Sequence, residues 1–224
     1  DLGTSSVKAL VVDARGNFVA SGAESYSIDI PAPGRAEQAP AVWWSSACIA
    51  IRVALAKAGA AGASAGDSVC IGLSGQMHGG AAIDGRGEPV RPAIVWCDQR
   101  STAELRWLKR HIGGRLAEIT LNPAAAGFML PTLLWIKKHE PEIRRRIAGV
   151  LFPKDWLRLR LTGTHGTDHS DTAAGLLYNL RERRWSDELI EAAGLDRSWF
   201  PVSSDSADII GAVTAEAASE TGLA

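Results

Sequence analysis

The chain opens with the stretch DLGTSSVKALVVD, residues 1–13, which predicts both its first polar turn and its first strand. Residues 7–13 form an apolar run typical of a strand. Residues 18–27 predict a second strand, and Arg15-Gly16-Asn17 between them has turn composition, because Gly and Asn tolerate left-handed backbone. We therefore expect an antiparallel hairpin. Since residue 7 lies in a strand already under way, we also expect a strand before Asp1, as in a piece of a longer protein.

Outward from this hairpin, the pattern changes from strands to helices. Pro40 suits the first turn of a helix, and Trp44, Cys48, Ile51 and Leu55 follow at helical spacing. The other predicted elements are short apolar strands at residues 69–73, 93–96 and 150–152, and helices at residues 101–112, after Pro131 and Pro141, at 154–161 and at 187–193. A hairpin followed by helices that alternate with short strands favours an α/β fold with a mixed sheet and helices packed on it.

Composition excludes several classes of protein. The 224 residues are 46% hydrophobic and 22% charged, with a net charge of −1, which is typical of a globular domain. No apolar run reaches the ~18 residues of a membrane span, and no basic block predicts a nucleic-acid surface. Cys48, Cys70 and Cys97 are too far apart for a disulfide framework or a metal site. They fit a reducing compartment, so we expect a cytoplasmic protein.

The turn Asp1-Leu2-Gly3-Thr4-Ser5-Ser6 is the first candidate for chemistry. Gly3 lets the backbone approach a ligand closely, and the N–H groups of a tight turn can bind an anion. Thr4 and Ser5 add hydroxyl groups, and Asp1 supplies a carboxylate that can hold Mg²⁺ through water. The turn therefore fits a phosphate site, and an ordinary polar hairpin turn is the alternative.

A second candidate is the loop Gln76-Met77-His78-Gly79-Gly80, which follows the predicted strand at residues 69–73. Ligands of open α/β sheets bind beyond the carboxyl ends of strands. Gln76 and His78 can then bond hydroxyl groups while Met77 packs on carbon atoms. The alternative is a loop histidine that is satisfied by a backbone carbonyl.

Two further polar stretches are weaker candidates. Asp98 and Arg100 follow the predicted strand at residues 93–96, where a cleft would lie, and an ion pair that caps the next helix is the alternative. Residues 167–172 mix carboxylates with hydroxyl groups. From the residues alone, this stretch predicts a turn or a helix cap.

Nine blocks in linear order resemble the N-terminal half of the FGGY family of carbohydrate kinases. They are DLGTSS, PGRAEQAPAVWW, GLSGQMHG, RPAIVWCDQR, NPAAAGF, PTLLWIKKHEPE, LFPKDWLRLRLTG, TDHSDTAAG and RRWSDELIEAAGL. The resemblance implies a ribonuclease-H-like domain of the actin/hexokinase type, with a mixed sheet and helices on both faces. Residues 1–224 would be the sugar-binding domain of a two-domain kinase whose C-terminal nucleotide domain lies outside them.

The resemblance also implies an activity, which is ATP-dependent phosphorylation of D-xylulose to D-xylulose 5-phosphate, with Mg²⁺. The QMHG block points to xylulose, while a kinase for another ketose or polyol, or a non-catalytic sugar-binding domain, remains the alternative. Asp1 would be catalytic and near the metal through water, with phosphate contacts from Gly3, Thr4 and Ser5 and sugar contacts from Gln76, Met77, His78, Asp98 and Asp171. We expect no nucleic-acid or membrane partner, and a homodimer stays open.

The sequence departs from the family pattern at four positions. Cys97 stands where similar proteins often have Asn, Thr132 replaces a usual Lys, Met129 replaces a usual small residue, and Ala39 replaces an acidic helix cap. A Gly-Asp-Asn-like block, which carries the catalytic base in the family, does not occur in these residues. The resemblance therefore predicts that this chain alone is inactive as a kinase.

Overall fold

The computed structural model describes all residues 1–224 and begins with the predicted hairpin. β1 (Ser6–Val12) and β2 (Phe18–Ser25) pair antiparallel from Ser6–Ser25 to Val11–Ala20, with an irregularity at Val12. A two-residue strand, β3 (Glu37–Gln38), leads into α1 (Pro40–Ala60), which has proline in its first turn and packs on both strands of the hairpin. The predicted hairpin and the helix that begins at Pro40 are confirmed.

The remaining helices and strands alternate as expected of an α/β protein. They are β4 (Ala81–Ile83), β5 (Ala93–Ile94), α2 (Thr102–His111), α3 (Gly113–Thr120), α4 (Met129–His139), α5 (Pro141–Arg146), β6 (Gly149–Leu151), α6 (Pro153–Thr162), β7 (Thr167–Asp168), α7 (His169–Ala173), β8 (Tyr178–Asn179), β9 (Arg184–Trp185), α8 (Asp187–Ala193), β10 (Ser203–Ser204) and α9 (Ala215–Thr221).

The strands form short pairs of both senses. β3 pairs antiparallel with β5, β4 with β6 and β8 with β9, whereas β7 and β10 are parallel. Isolated bridges join Leu2 to Gly75 in parallel and Gly80 to Ile94 antiparallel, so the loop between Gly75 and Gly80 is tied to strand backbone at both ends. The α/β fold class with mixed pairing is confirmed.

The predicted strand at residues 69–73 is absent. Its backbone has no ladder partner, and the only bridge nearby is the one from Gly75 to Leu2. Val69 is 94% exposed and Ile71 is half-exposed. Strand structure depends on a neighbouring strand, and an apolar run alone does not provide one.

Two hydrophobic clusters stabilise the two sides of the domain. One contains 25 buried residues and is built around α4, with Leu130 and Trp185 among its members. The other has 17 residues between α1, the hairpin, β4, β6 and α6, and includes Leu2, Trp43 and Trp156. Leu2 is fully buried in the second cluster, so packing fixes the turn that contains it.

α1 is the one helix whose length and composition would allow it to cross a membrane. Its contacts assign it to the domain core, since it packs on β1, β2, α6 and α9. A Cβ atom on Gly22 of β2 would lie 2.1 Å from the carbonyl oxygen of Ala50, so α1 approaches the hairpin as closely as glycine permits. A core helix of this kind passes the same length and composition test.

Candidate functional site

The turn from Asp1 to Ser6 connects the start of the chain to β1. Gly3 N–H donates to the carbonyl of Ser6 across 3.0 Å, and the carbonyl of Gly3 accepts from the hydroxyl of Tyr26. The backbone N–H groups of Thr4 and Ser5 donate to no acceptor within the chain, and the exposed Asp1 carboxylate makes no hydrogen bond or ion pair. The turn therefore presents free donors and a free carboxylate on one surface.

The second candidate loop lies directly beside this turn. Leu2 N–H donates to the carbonyl of Ser74, and Gln76 N–H donates to the carbonyl of Leu2, both at 2.7 Å. The structure thus brings together the two stretches that the sequence predicted separately, one for phosphate and one for sugar.

Gln76 and the turn are also joined through side chains. Nε2 of Gln76 donates to Oε1 of Gln38 across 2.8 Å, and Nε2 of Gln38 donates to the carbonyl of Thr4 across 2.7 Å. The indole of Trp43 also donates to Oε1 of Gln38. Gln76 is buried, and its Oε1 has no hydrogen-bond partner in the chain. The Nε2 atom of Gln76 is thereby held by Gln38, while its Oε1 atom remains a free acceptor.

His78 is held in an unusual backbone conformation. Its φ of 71° lies in the left-handed region, which non-glycine residues rarely adopt. Its ring stacks on Phe128 with centroids 3.9 Å apart, and Nδ1 lies 3.3 Å from the carbonyl oxygen of Ala174. This carbonyl contact is the one that the alternative interpretation predicted, and it leaves Nε2 without a partner. The neighbouring Met77 is 50% exposed.

The loop around His78 approaches other backbone closely. A Cβ atom on Gly79 would lie 2.8 Å from the carbonyl oxygen of Ile94, and one on Gly80 would lie 3.2 Å from Val150. The two glycines therefore let the loop rest on β5 and β6, and a larger residue at Gly79 would push it away.

Trp96 is a site residue that we did not predict. Its side chain is 46% exposed, and its indole N–H donates to Oγ1 of Thr4 across 3.0 Å. Gly127 supports it from behind, since a Cβ there would lie 2.1 Å from the carbonyl oxygen of Trp96. An exposed indole anchored to the turn offers an apolar surface for a ligand. The signal in the sequence was its position at the end of a predicted strand.

Asp98 does not face a cleft. Its side chain is fully buried, and its carboxylate accepts from the backbone N–H of Ala36 across 2.6 Å and from the guanidinium of Arg100 across 2.9 Å. Arg100 also pairs with Glu37 at 2.6 Å. Because both carboxylate oxygens are already bonded, the geometry favours the ion-pair alternative, and the sugar contact from Asp98 stays a prediction.

Asp171 belongs to a buried cluster of charges. Asp155, Asp168 and Asp171 place carboxylate oxygens within 4.8 Å of one another, and Nζ of Lys154 lies 2.6–2.9 Å from an oxygen of each. The ammonium group stands where a cation would sit, so these residues do not fit a metal site. Asp171 makes its close contact with Lys154, and a direct sugar contact is not formed within this cluster.

The charges in the cluster perturb one another. Burial raises the pKa of Asp171 to about 6, and the charges of Asp155 and Asp168 add to the effect against the opposing ammonium of Lys154. Burial acts in the same direction on Asp168, but hydrogen bonds from Lys154 and Ser170 outweigh it and hold its pKa below the usual range. Burial alone would lower the pKa of Lys154, yet the charges of Asp155 and Asp171 raise it, so the amine stays protonated.

The donor set at the turn fits the phosphate of a nucleotide and a magnesium ion. One free carboxylate, on Asp1, suits Mg²⁺ bound through water, since this ion keeps several waters and takes one or two carboxylates. Free backbone N–H groups at Thr4 and Ser5 suit phosphate oxygens. Neither the buried cluster nor Asp98 offers a comparable free carboxylate.

Comparison with known proteins identifies the family to which this fold belongs. The description "FGGY family of carbohydrate kinases, N-terminal domain" matches residues 1–224. A xylulose kinase from Lactococcus lactis is 38% identical over 97% of this chain and 43% of its own length. A xyloylose kinase structure from Brucella ovis is 38% identical with a TM-score of 0.90, covering 96% of this chain and 44% of that one.

A third match has the same fold but is named for a different substrate. A gluconate kinase structure from Lactobacillus acidophilus superposes with a TM-score of 0.92 at 23% identity, over 100% of this chain and 44% of that one. At that identity the likeness shows the fold alone. The chain belongs to the FGGY family of carbohydrate kinases and corresponds to its N-terminal domain. It spans a little under half the length of the relatives it matches.

Proposed function

We propose that residues 1–224 are the sugar-binding domain of an ATP-dependent kinase that converts D-xylulose to D-xylulose 5-phosphate. The observation that carries the proposal is the backbone pairing of Leu2 with Ser74 and Gln76. It lies between the turn at residues 1–6, which we call the phosphate turn, and the loop at residues 75–80, which we call the sugar loop. Family membership and the similarity to xylulose kinases support it.

Each side of this junction has a separate task. Met77 and the free Nε2 of His78 contact the sugar, and Gln76 contributes its unpaired Oε1 as an acceptor. Trp96 packs on carbon atoms of the sugar beside the turn. Gly3, Thr4 and Ser5 face the transferred phosphate. Asp98 and Asp171 act behind these groups, through their ion pairs.

The reaction transfers one phosphoryl group. The terminal hydroxyl oxygen of the sugar forms a bond to the γ-phosphorus of ATP, while the bond from that phosphorus to the bridging oxygen breaks and ADP leaves. The hydroxyl proton passes to a base, which we assign to the part of the kinase beyond this domain. Mg²⁺, when bound with ATP, neutralises charge on the phosphate oxygens. Asp1 orients water on that ion, and the turn positions the phosphate in line with the sugar.

A kinase for another ketose or polyol is the second candidate. The departures from the family pattern at Cys97 and Thr132 leave room for it, because they leave the exact sugar open. A non-catalytic sugar-binding domain is the candidate from another class. We also propose a cytoplasmic location, while a homodimer remains an expectation from the family alone.

The test uses the complete gene product. ADP release is coupled to an optical assay with ATP, Mg²⁺ and a panel of D-xylulose, D-ribulose, L-ribulose, glycerol and gluconate. We expect the highest kcat/KM with D-xylulose. A clear preference for another sugar selects the second candidate. Sugar binding by calorimetry without ADP release selects the non-catalytic domain.

A further inference from the structure

A buried ion-pair cluster lies directly behind the sugar loop. Lys154, in the first turn of α6, is the centre of this cluster, with Nζ 2.6 Å from Asp168 and 2.9 Å from Asp171. Its stem abuts the first glycine of the loop, since a Cβ on Gly75 would lie 3.2 Å from Cβ of Lys154. The side chain is 10% exposed, so water does not substitute for these contacts.

The carboxylates of the cluster fix α7. One oxygen of Asp168 caps the helix by accepting from the backbone N–H groups of Ser170 and Asp171, while its other oxygen binds Lys154. The hydroxyl of Thr172 donates back to the carbonyl of Asp168. α7 has only five residues, so these contacts, rather than its own length, hold it in place.

Ala174, which directly follows α7, provides the carbonyl that contacts His78. Ala174 N–H donates to the carbonyl of Asp171 across 2.9 Å, and the carbonyl oxygen of Ala174 lies 3.3 Å from Nδ1 of His78. The amide of Asn122 holds the adjacent carbonyl of Ala173. A continuous series of contacts thus runs from Lys154 through Asp171 and Ala174 to the imidazole.

We infer that Lys154 and Asp171 are positioning residues for His78, and set the orientation and tautomer of its ring through the carbonyl of Ala174. If Nδ1 carries the proton and donates to that carbonyl, Nε2 is an acceptor for a sugar hydroxyl. The inference rests on the proposed sugar site for its functional meaning. The contact series itself is independent of any substrate.

The experiment records ring nitrogen resonances of the 224-residue chain labelled with ¹⁵N-histidine, without sugar. The His78 signals are assigned by their loss in His78→Ala. Lys154→Met and Asp171→Asn are compared with wild type, and exposed His111 serves as an internal reference. We expect both variants to change the His78 tautomer or its exchange, while the His111 signals stay in place. We expect Lys154→Arg, which keeps the positive charge, to give His78 signals close to those of the wild type.

Sugar affinity is measured on the same proteins by calorimetry. We expect Lys154→Met to weaken xylulose binding at least tenfold and Lys154→Arg less than threefold. Leu189→Ala, a buried residue of α8, is the control, and we expect it to lower the melting temperature without changing affinity. If Lys154→Met does not fold, the same measurements are made on the double variant Lys154→Met/Asp171→Asn, which removes a buried negative charge together with the positive one.

Unchanged His78 signals in folded Lys154 and Asp171 variants overturn the inference. An affinity loss that Leu189→Ala reproduces at equal loss of stability also overturns it. Absence of xylulose binding by the wild type defeats the proposed function instead, and the sugar-free His78 spectrum still decides whether the positioning exists.

Discussion

The imidazole of His78 lies flat on the ring of Phe128, with 3.9 Å between centroids and 9° between planes. The stack and the carbonyl of Ala174 hold two sides of a residue whose backbone is left-handed. Holding a polar ring in a strained conformation requires compensation from its surroundings, and such strain is often found at ligand sites. The arrangement leaves Nε2 free, and we expect this atom to contact the sugar.

Replacing His78 with alanine should weaken xylulose binding by about 1–3 kcal/mol, the range for leaving a polar partner unsatisfied. Isothermal titration calorimetry measures the change. His111→Ala is the matched control, because that imidazole stacks on Trp107 on the exposed face of α2. Equal affinity of His78→Ala and wild type would remove His78 from the sugar site.

Asp1→Asn in the complete gene product should reduce kcat by ~10²-fold or more while the KM for sugar changes little, since the lost charge acts on phosphate and metal. Steady-state kinetics at saturating ATP give both parameters. Asp29→Asn, at an exposed carboxylate in a loop, is the control. A collapse of sugar affinity with kcat retained would show that Asp1 serves the sugar instead.

Gly127→Ala should destabilise the domain by more than about 2 kcal/mol, because the added Cβ meets the carbonyl of Trp96 and the backbone φ is +82°. Gly16→Ala is a matched control with φ +83° and open space around it, so it reports the backbone cost alone, about 1 kcal/mol. Urea unfolding gives both free energies. Equal losses in the two variants would disprove the close packing at Trp96.

The buried Asp171 predicts a specific pH dependence of stability. Its pKa in the folded state is raised to about 6, above the value of about 3.9 for an unfolded chain, so folding is favoured by its protonation. That contribution is complete below pH 4 and is lost as pH rises through 6. Asp171→Asn removes it, so the free energy of unfolding of the variant relative to wild type should rise by about 1–3 kcal/mol from pH 4 to pH 7.

Urea unfolding at pH 4, 5, 6 and 7 measures this difference. Leu189→Ala, which changes no titratable group, is the control and should show a flat difference over the same range. A relative stability of Asp171→Asn that falls with rising pH would mean that Lys154 dominates the carboxylate and that its pKa is lowered.

The 224-residue chain alone should bind xylulose weakly and release no ADP. Phosphoryl transfer needs the nucleotide in line with the sugar and a base for the proton, and the geometry here supplies one wall of such a site. The chain is incubated with ATP, Mg²⁺ and xylulose, and ADP is measured against a heat-denatured sample. Sugar-dependent ADP above that background would show that no further domain is needed.

Local signals in the sequence predicted the elements that depend on local chemistry. The hairpin was predicted by a Gly-Asn turn between apolar runs, and α1 by Pro40 and helical spacing. The strand at residues 69–73 was wrong, because an apolar run carries no information about whether a partner strand is present. The family resemblance, rather than periodicity, predicted the fold type.

The same distinction between local signals and long-range contacts applies to the candidate site. Gln76, Met77 and His78 stood out as a loop between glycines, whereas the contacts of Gln38 with Thr4 and of Ala174 with His78 join residues far apart in sequence. The ion pair of Asp98 could not be distinguished in advance, since a carboxylate after a strand has the same pattern whether it faces a cleft or an arginine. Nothing in the local pattern around Lys154 predicted that its ammonium would gather carboxylates from two other elements.

The amide of Gln38 has a mechanical consequence. It bonds the turn through Thr4 and the sugar loop through Gln76, and the backbone pairs of Leu2 add two further ties between the same segments. These bonds fix the turn and the loop relative to each other, so we expect them to move together. In the proposed kinase, the hinge for closure around a bound sugar would then lie outside these two segments, and closure would carry the turn and the loop together.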